Sequence, residues 1–196
     1  MIRINRRLRS CVAALILASM QSTPFAQSET NAPTAVADPE YRLEISRHER
    51  FLKTRRSTGA ALDAFTSDGC SGGLSIGWAF AASKFPQLAQ HHGKQPPWEK
   101  CCVAHDKLYH VGGTSGVDAT ASFEARLAAD EQLRKCVIDV GMERVETLES
   151  EYGLSRSQIM TIYRSIAAVM YHAVRLGGAP CTDLPWRWGF GWPPCE

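Results

Sequence analysis

Residues 101–109 read Cys-Cys-Val-Ala-His-Asp-Lys-Leu-Tyr, and they place an imidazole, a carboxylate and a phenol close together. On a helix Cys101 and His105, Cys102 and Asp106, and His105 and Tyr109 each lie four apart, so each pair shares a face. A carboxylate on such an element can hold a hard metal ion, and an imidazole can take a proton from water near neutral pH. Upstream, Asp68-Gly69-Cys70-Ser71-Gly72-Gly73 reads as a tight loop whose backbone carbonyls suit calcium, a cation that binds through oxygen. Downstream, Asp130 stands six residues before Cys136, and a carboxylate there can fix an imidazole tautomer. A His-Asp dipeptide alone is a weak signal; the surrounding loop and second carboxylate strengthen it.

These groups need rigid elements beneath them. Helical spacing runs from Trp98 to His110, with Gly112-Gly113 as the stop. A second long helix is expected over Ala119–Val140, ending at Gly141, with Phe123, Leu127, Leu133 and Val137 on its apolar face. A third starts at Ser155, where Gln158 three residues on completes a capping-box pattern. It carries Ile159, Ile162, Ile166, Val169, Met170 and Val174 as a broad core face and ends at Gly177-Gly178. Residues 40–56 form a weaker amphipathic helix, and a further helix is expected over Leu74–Ala89, broken near Pro86. The pair His91-His92 falls in a loop and reads as solvated, and Asp118 and His110 read as helix-end residues. No internal repeat and no run of alternating strands is present, so the fold class is mostly α.

The two ends have different compositions. Arg3, Arg6, Arg7 and Arg9 precede the apolar run Val12–Met20, and small and polar residues follow it, which is the pattern of a secretory signal peptide over 1–26. The run is far shorter than the roughly 20 residues that span a bilayer. Residues 27–58 then form a polar leader and the weak helix, and 59–196 the main domain with an aromatic C-terminal loop. The whole chain has 22 basic and 20 acidic residues, a net charge of +2. Without the four arginines of the signal peptide the balance is −2, which removes the electrostatic basis for nucleic-acid binding.

Cys11 aside, the cysteines are Cys70, Cys101, Cys102, Cys136, Cys181 and Cys195. An even set in an exported chain argues for three disulfides, with fifteen connectivities open. A zinc site from Cys101, Cys102, His105 and a distant cysteine is the weaker alternative, because adjacent cysteines lack ligand spacing. Trp186, Trp188, Phe190 and Trp192 crowd between Cys181 and Cys195, either as a lip for a lipid interface or as a lid on a small core.

Taken together, the Cys-Cys-x-x-His-Asp-x-x-Tyr helix, the glycine-rich loop with its cysteine, and the Asp six before a Cys resemble the secreted, calcium-dependent phospholipase A2 family. The resemblance covers roughly residues 66–140. It implies a disulfide-stapled pair of long antiparallel helices with a calcium-binding loop. It implies that His105 is the general base, that Asp130 orients it, and that Tyr109 supports Asp130. It further implies Ca2+ held by Asp106 and the backbone carbonyls of Gly69, Ser71 and Gly73. The family's bridges map as Cys70–Cys102 and Cys101–Cys136, leaving Cys181–Cys195 as a separate staple. With Cys101 bridged to Cys136, His105 and Asp130 lie about 6 and 9 Å along antiparallel helices from that staple. Leu108 and Ala129 replace a bridged cysteine pair common in the family and substitute an apolar contact. Ser71 replaces a common glycine, and the segment from Cys70 to Cys102 is longer than in the compact animal enzymes.

The function so implied is hydrolysis of the sn-2 ester of glycerophospholipids, releasing a fatty acid and a lysophospholipid. It would act at a phospholipid membrane interface, outside the cytoplasm, as a secreted or periplasmic enzyme. A non-catalytic calcium-dependent lipid- or partner-binding protein on the same scaffold is the alternative, though a pure binder need not keep a base and its orienter. An intracellular His-Asp metal phosphohydrolase leaves the signal peptide and the paired cysteines unexplained.

Overall fold

The computed structural model describes residues 38–70, 83–84, 93 and 95–195. These include α1 (Pro39–Arg55), α2 (Glu99–Val111), α3 (Ala119–Glu143), α4 (Val145–Tyr152) and α5 (Arg156–Gly177), and no strand occurs among them. The signal peptide, the leader up to residue 37, most of the helix expected over 74–89, and His91-His92 lie outside the described residues. No described helix is long and apolar enough to cross a membrane.

Local chemistry sets the helix ends. Asp38 accepts the Glu40 N–H at the start of α1, where Pro39 fits the first turn because its missing N–H has no partner to lose there. Asp118 caps α3 by accepting the Ala121 N–H at 2.8 Å, and Ser155 and Gln158 form the expected reciprocal box on α5. The short α4 was not expected. Nor does α3 stop at Gly141: it continues to Glu143, and Gly141 instead admits the Tyr163 ring, which a Cβ there would meet at 2.5 Å.

Three disulfides join Cys70 to Cys102, Cys101 to Cys136, and Cys181 to Cys195. All six thiols are consumed, so the zinc alternative falls. Because Cys101 and Cys102 are consecutive on a helix, their side chains diverge by about 100°. One reaches α3, and the other reaches the loop at Cys70. The pairings 101 with 136, 105 with 130 and 109 with 126 fix α2 and α3 as antiparallel.

Helix α3 packs against α1, α2 and α5. One apolar cluster joins Trp98, Cys101, Leu133, Val137, Val140, Ile159, Tyr163 and Met170. A second joins Phe51, Leu52, Tyr109, Ala129 and Trp188. Two expected apolar faces are corrected. On α5 the buried stripe is Ile159, Met160, Tyr163, Ala167 and Met170, while Ile162 and Val169 face outward, 47% and 63% exposed. On the first half of α3, Phe123 and Leu127 are only half-buried, and the inward positions are Ser122, Arg126, Ala129 and Asp130.

Candidate active site

Helix α2 presents two adjacent faces. His105 and Tyr109 stack on one face, ring centroids 4.1 Å apart, and both are buried against α3. His105 Nε2 lies 2.8 Å from Asp130 Oδ1, and the Tyr109 hydroxyl donates to the same oxygen at 2.7 Å. Asp130 is 0% exposed. An ionised carboxylate accepts but cannot donate, so in the neutral imidazole Nε2 carries the proton and Nδ1 the lone pair. Among the described residues Nδ1 makes no hydrogen bond. Burial, with the Asp130 charge beside it, holds the Tyr109 phenol well above its ordinary range, so Tyr109 stays a donor.

Asp106 is turned about 100° from His105, toward the loop before Cys70. Its Oδ2 accepts the Ser67 hydroxyl at 2.6 Å, and Ser67 Oγ accepts the Gly69 N–H at 3.1 Å. Gly69 has φ +74°, and a Cβ there would sit 1.6 Å from a Glu99 carboxylate oxygen. Burial raises the Asp106 pKa, and the like charges of Asp68 and Glu99 raise it further against the opposing Ser67 hydrogen bond. A hard cation suits such a group, because it relieves the repulsion that the protein leaves in place. Of the expected ligands, Asp106 and Gly69 are brought to this place, while Ser71 and Gly73 lie outside the described residues. Among the described residues, no three His, Cys, Asp or Glu side chains already converge as a metal cage. A cavity of about 310 Å³ opens beside Asp106, with Ser67 and Asp68 on one side and Pro185, Trp186 and Phe190 on the other.

The C-terminal loop caps the helix that bears these groups. The last carbonyls of a helix have no partners within it. Here Tyr109 O accepts the Gly189 N–H, His110 O the Gly191 N–H, and Val111 O the Trp192 indole N–H. The Arg55 guanidinium serves the carbonyls of Gly112, Gly113 and Thr114, so this basic residue is engaged within the protein. Gly189 needs to be glycine: its φ is +75°, and a Cβ would fall 2.1 Å from the Phe51 ring. The loop's aromatics divide their roles. Trp188 is a core residue, whereas Trp186, Phe190 and Trp192 are half-buried. Leu108 is 39% exposed on α2, while Ala129 is buried in the second cluster.

Five polar residues in the network around Asp130 were not expected from the sequence. Arg175 Nη1 donates to Asp130 Oδ2 at 3.0 Å, and its Nη2 lies 2.9 and 3.1 Å from the Glu44 carboxylate oxygens. Arg126 is fully buried, donates from Nε to the Tyr109 hydroxyl at 3.0 Å, and also binds Glu44. Ser122 Oγ lies 2.8 Å from His48 Nδ1, and Glu44 is 3.8 Å from His48 Nε2. This serine, histidine and acid are closed off from substrate, since Ser122 and His48 are 0% exposed and Trp188 donates to the hydroxyl. Arg126 and Asp130, four apart on α3, were the one available signal for this network.

No protein-family profile, curated protein or solved structure matches this chain.

Proposed function

We propose that the chain is a phospholipase A2-like hydrolase, which cleaves the sn-2 ester of glycerophospholipids at a membrane interface and needs calcium. The observation that carries this reading is the hydrogen-bonded line from Tyr109 through Asp130 to His105, with Asp106 next in sequence and facing a different loop. Disulfide pairing consistent with the family resemblance supports it as well.

The chain's own residues divide the work. Asp130 holds the His105 Nε2–H, which leaves Nδ1 to take a proton from water as that water attacks the ester carbonyl. The same nitrogen then returns the proton to the departing alkoxide, giving a lysophospholipid and a free fatty acid. Tyr109 and His105 bind the same oxygen of Asp130, which favours the carboxylate orientation that faces the imidazole. Calcium, when held by Asp106 with the carbonyls of Gly69, Ser71 and Gly73, supplies positive charge for the developing oxyanion and for the substrate phosphate.

Export fits the same reading: three disulfides persist where the compartment is oxidising, and residues 1–26 read as the export signal. A calcium-dependent binder without catalysis has no use for a base whose tautomer is fixed by a buried carboxylate. The test is hydrolysis of labelled phospholipid vesicles with calcium, with chelator, and with His105→Gln. Loss of turnover in both of the latter, in a folded protein, is expected. Turnover that survives either change would sink the mechanism.

A further inference from the structure

The torsion that aims a carboxylate is soft. An Asp χ2 has broad, roughly two-fold wells, so rotamer preference alone does not decide which oxygen faces His105 or at what angle. In this protein both oxygens are loaded. Oδ1 accepts from His105 and Tyr109, and Oδ2 accepts from Arg175 Nη1 at 3.0 Å. Arg175 is itself held in place. Its Nη2 meets Glu44 on α1 at 2.9 and 3.1 Å, and the guanidinium lies 5.4 Å from the centroid of the Phe123 ring. Its backbone carbonyl accepts Arg126 Nη2 at 2.8 Å. Arg126 closes the circuit by binding Glu44 and the Tyr109 hydroxyl. Four helices, α1, α2, α3 and α5, therefore meet in one ring of polar contacts around a carboxylate with no exposure to solvent.

We propose that Arg175 is a positioning residue, which fixes the rotation of the Asp130 carboxylate so that Oδ1 meets His105 Nε2, and that Glu44 of α1 holds Arg175 at that task. The inference rests on the reading of His105 as the base, and it extends the machinery beyond the α2–α3 pair to two outer helices. Arg175 acts through Asp130, to which its Nη1 donates. Its planar fork suits the position: one nitrogen serves each carboxylate, which the single ammonium of a lysine cannot do with the same geometry.

Charge balance is the competing role, since two guanidiniums face two carboxylates here, and losing one cation leaves a buried charge uncompensated. Arg175→Gln paired with Glu44→Gln separates the two, because it removes one charge of each sign. Two readouts apply to the full chain: kcat and KM on phospholipid vesicles with calcium, and the downfield proton resonance of the His105 ring N–H, assigned by its loss in His105→Gln. Arg175→Gln alone is expected to lower kcat about 10- to 100-fold with KM within about twofold, as misaimed catalytic geometry does, and to move the ring resonance. The paired variant should regain thermal stability but neither kcat nor the resonance position. Recovery of both along with stability would overturn the proposal and leave charge balance as Arg175's role. An unmoved resonance in Arg175→Gln would overturn it too. Were the wild type not to hydrolyse phospholipid, the enzymatic reading would fail, and the resonance would still decide whether Arg175 positions Asp130.

Discussion

The backbone N–H of Gly189 donates to the carbonyl of Tyr109 at 2.6 Å, and so the C-terminal loop is fastened to the residue whose hydroxyl supports Asp130. Trp188, next to that glycine, sets its ring edge-on to Tyr109 at a centroid distance of 5.1 Å. Its indole also donates to Ser122 on α3. The loop thus seals the back of the His105–Tyr109 stack and satisfies helix carbonyls that would otherwise be buried without partners.

Opening the loop should therefore weaken the site as well as the fold. Cys181 and Cys195 are 14 residues apart, and closing a loop of that size contributes about 3 kcal/mol in the chain-entropy account. Cys181→Ala with Cys195→Ala should lower the denaturation midpoint and reduce turnover, while helical circular dichroism stays near wild type. An unchanged midpoint would mean that the hydrogen bonds and Trp188 hold the loop without the staple.

Tyr109→Phe keeps the ring packing and removes one oxygen. That oxygen donates to Asp130 and accepts from Arg126 Nε, and Arg126 is fully buried. The variant leaves a charged donor without its partner, at a cost of about 1–3 kcal/mol. Turnover should fall less than in His105→Gln, because His105 and Arg175 still hold Asp130. Equilibrium urea unfolding and vesicle hydrolysis measure the two effects, and a fully stable Tyr109→Phe would contradict the assigned donor.

The sequence announced part of this site and concealed the rest for a physical reason. His105, Asp106 and Tyr109 stand within one helical stretch, and Asp130 precedes a cysteine that shares a bridge with α2, so local spacing carries them. The inward face of α3 begins Ser122, Arg126, Ala129, Asp130 before it becomes Leu133, Val137, Val140. A hydrophobic-periodicity reading takes such a polar start for solvent and puts Phe123 and Leu127 inward instead. Arg175 sits in the last turn of α5, where a basic residue is ordinary for a helix terminus. Glu44 looks like one more charge on a weak amphipathic helix. Only the packing of α1 and α5 on α3 turns those unremarkable charges into partners of Asp130.

Asp106→Asn gives a test of the proposed calcium site whose readout is stability. Burial, with Asp68 and Glu99 adding to it, raises the Asp106 pKa, so above that pKa the ionised carboxylate costs the folded state stability. A neutral isostere removes the cost and can still accept the Ser67 hydroxyl. The variant should melt higher than wild type in chelator at neutral pH. Added calcium should then stabilise the wild type by mass action and leave Asp106→Asn unmoved. A calcium-induced rise of equal size in both proteins would take Asp106 out of the ligand set.

Acid should destabilise the protein in two separable stages. Burial lowers the His48 pKa below its ordinary 6.5, with Arg126 and Arg175 adding to the effect and Glu44 opposing it. For Glu44 burial pushes upward, but the nearby His48 ring, 3.8 Å away, and the charges of Arg126 and Arg175 outweigh it, and the pKa falls below 4.5. Both groups thus hold their protons less tightly in the folded state than in the unfolded chain. Stability is then fully present above the unfolded value and drains as pH falls from that value through the lowered one. The His48 stage begins below 6.5 and the Glu44 stage below 4.5. His48→Asn, which can keep a partner for Ser122, should flatten the first decline and leave the second. Denaturant midpoints taken from about pH 7.5 down to about pH 4 measure both stages, since His is the side chain that titrates across that upper range. A wild-type midpoint that is flat from about pH 7 to about pH 5 would show that His48 takes up its proton in the folded state as readily as in the unfolded chain, contrary to its burial near the charges of Arg126 and Arg175.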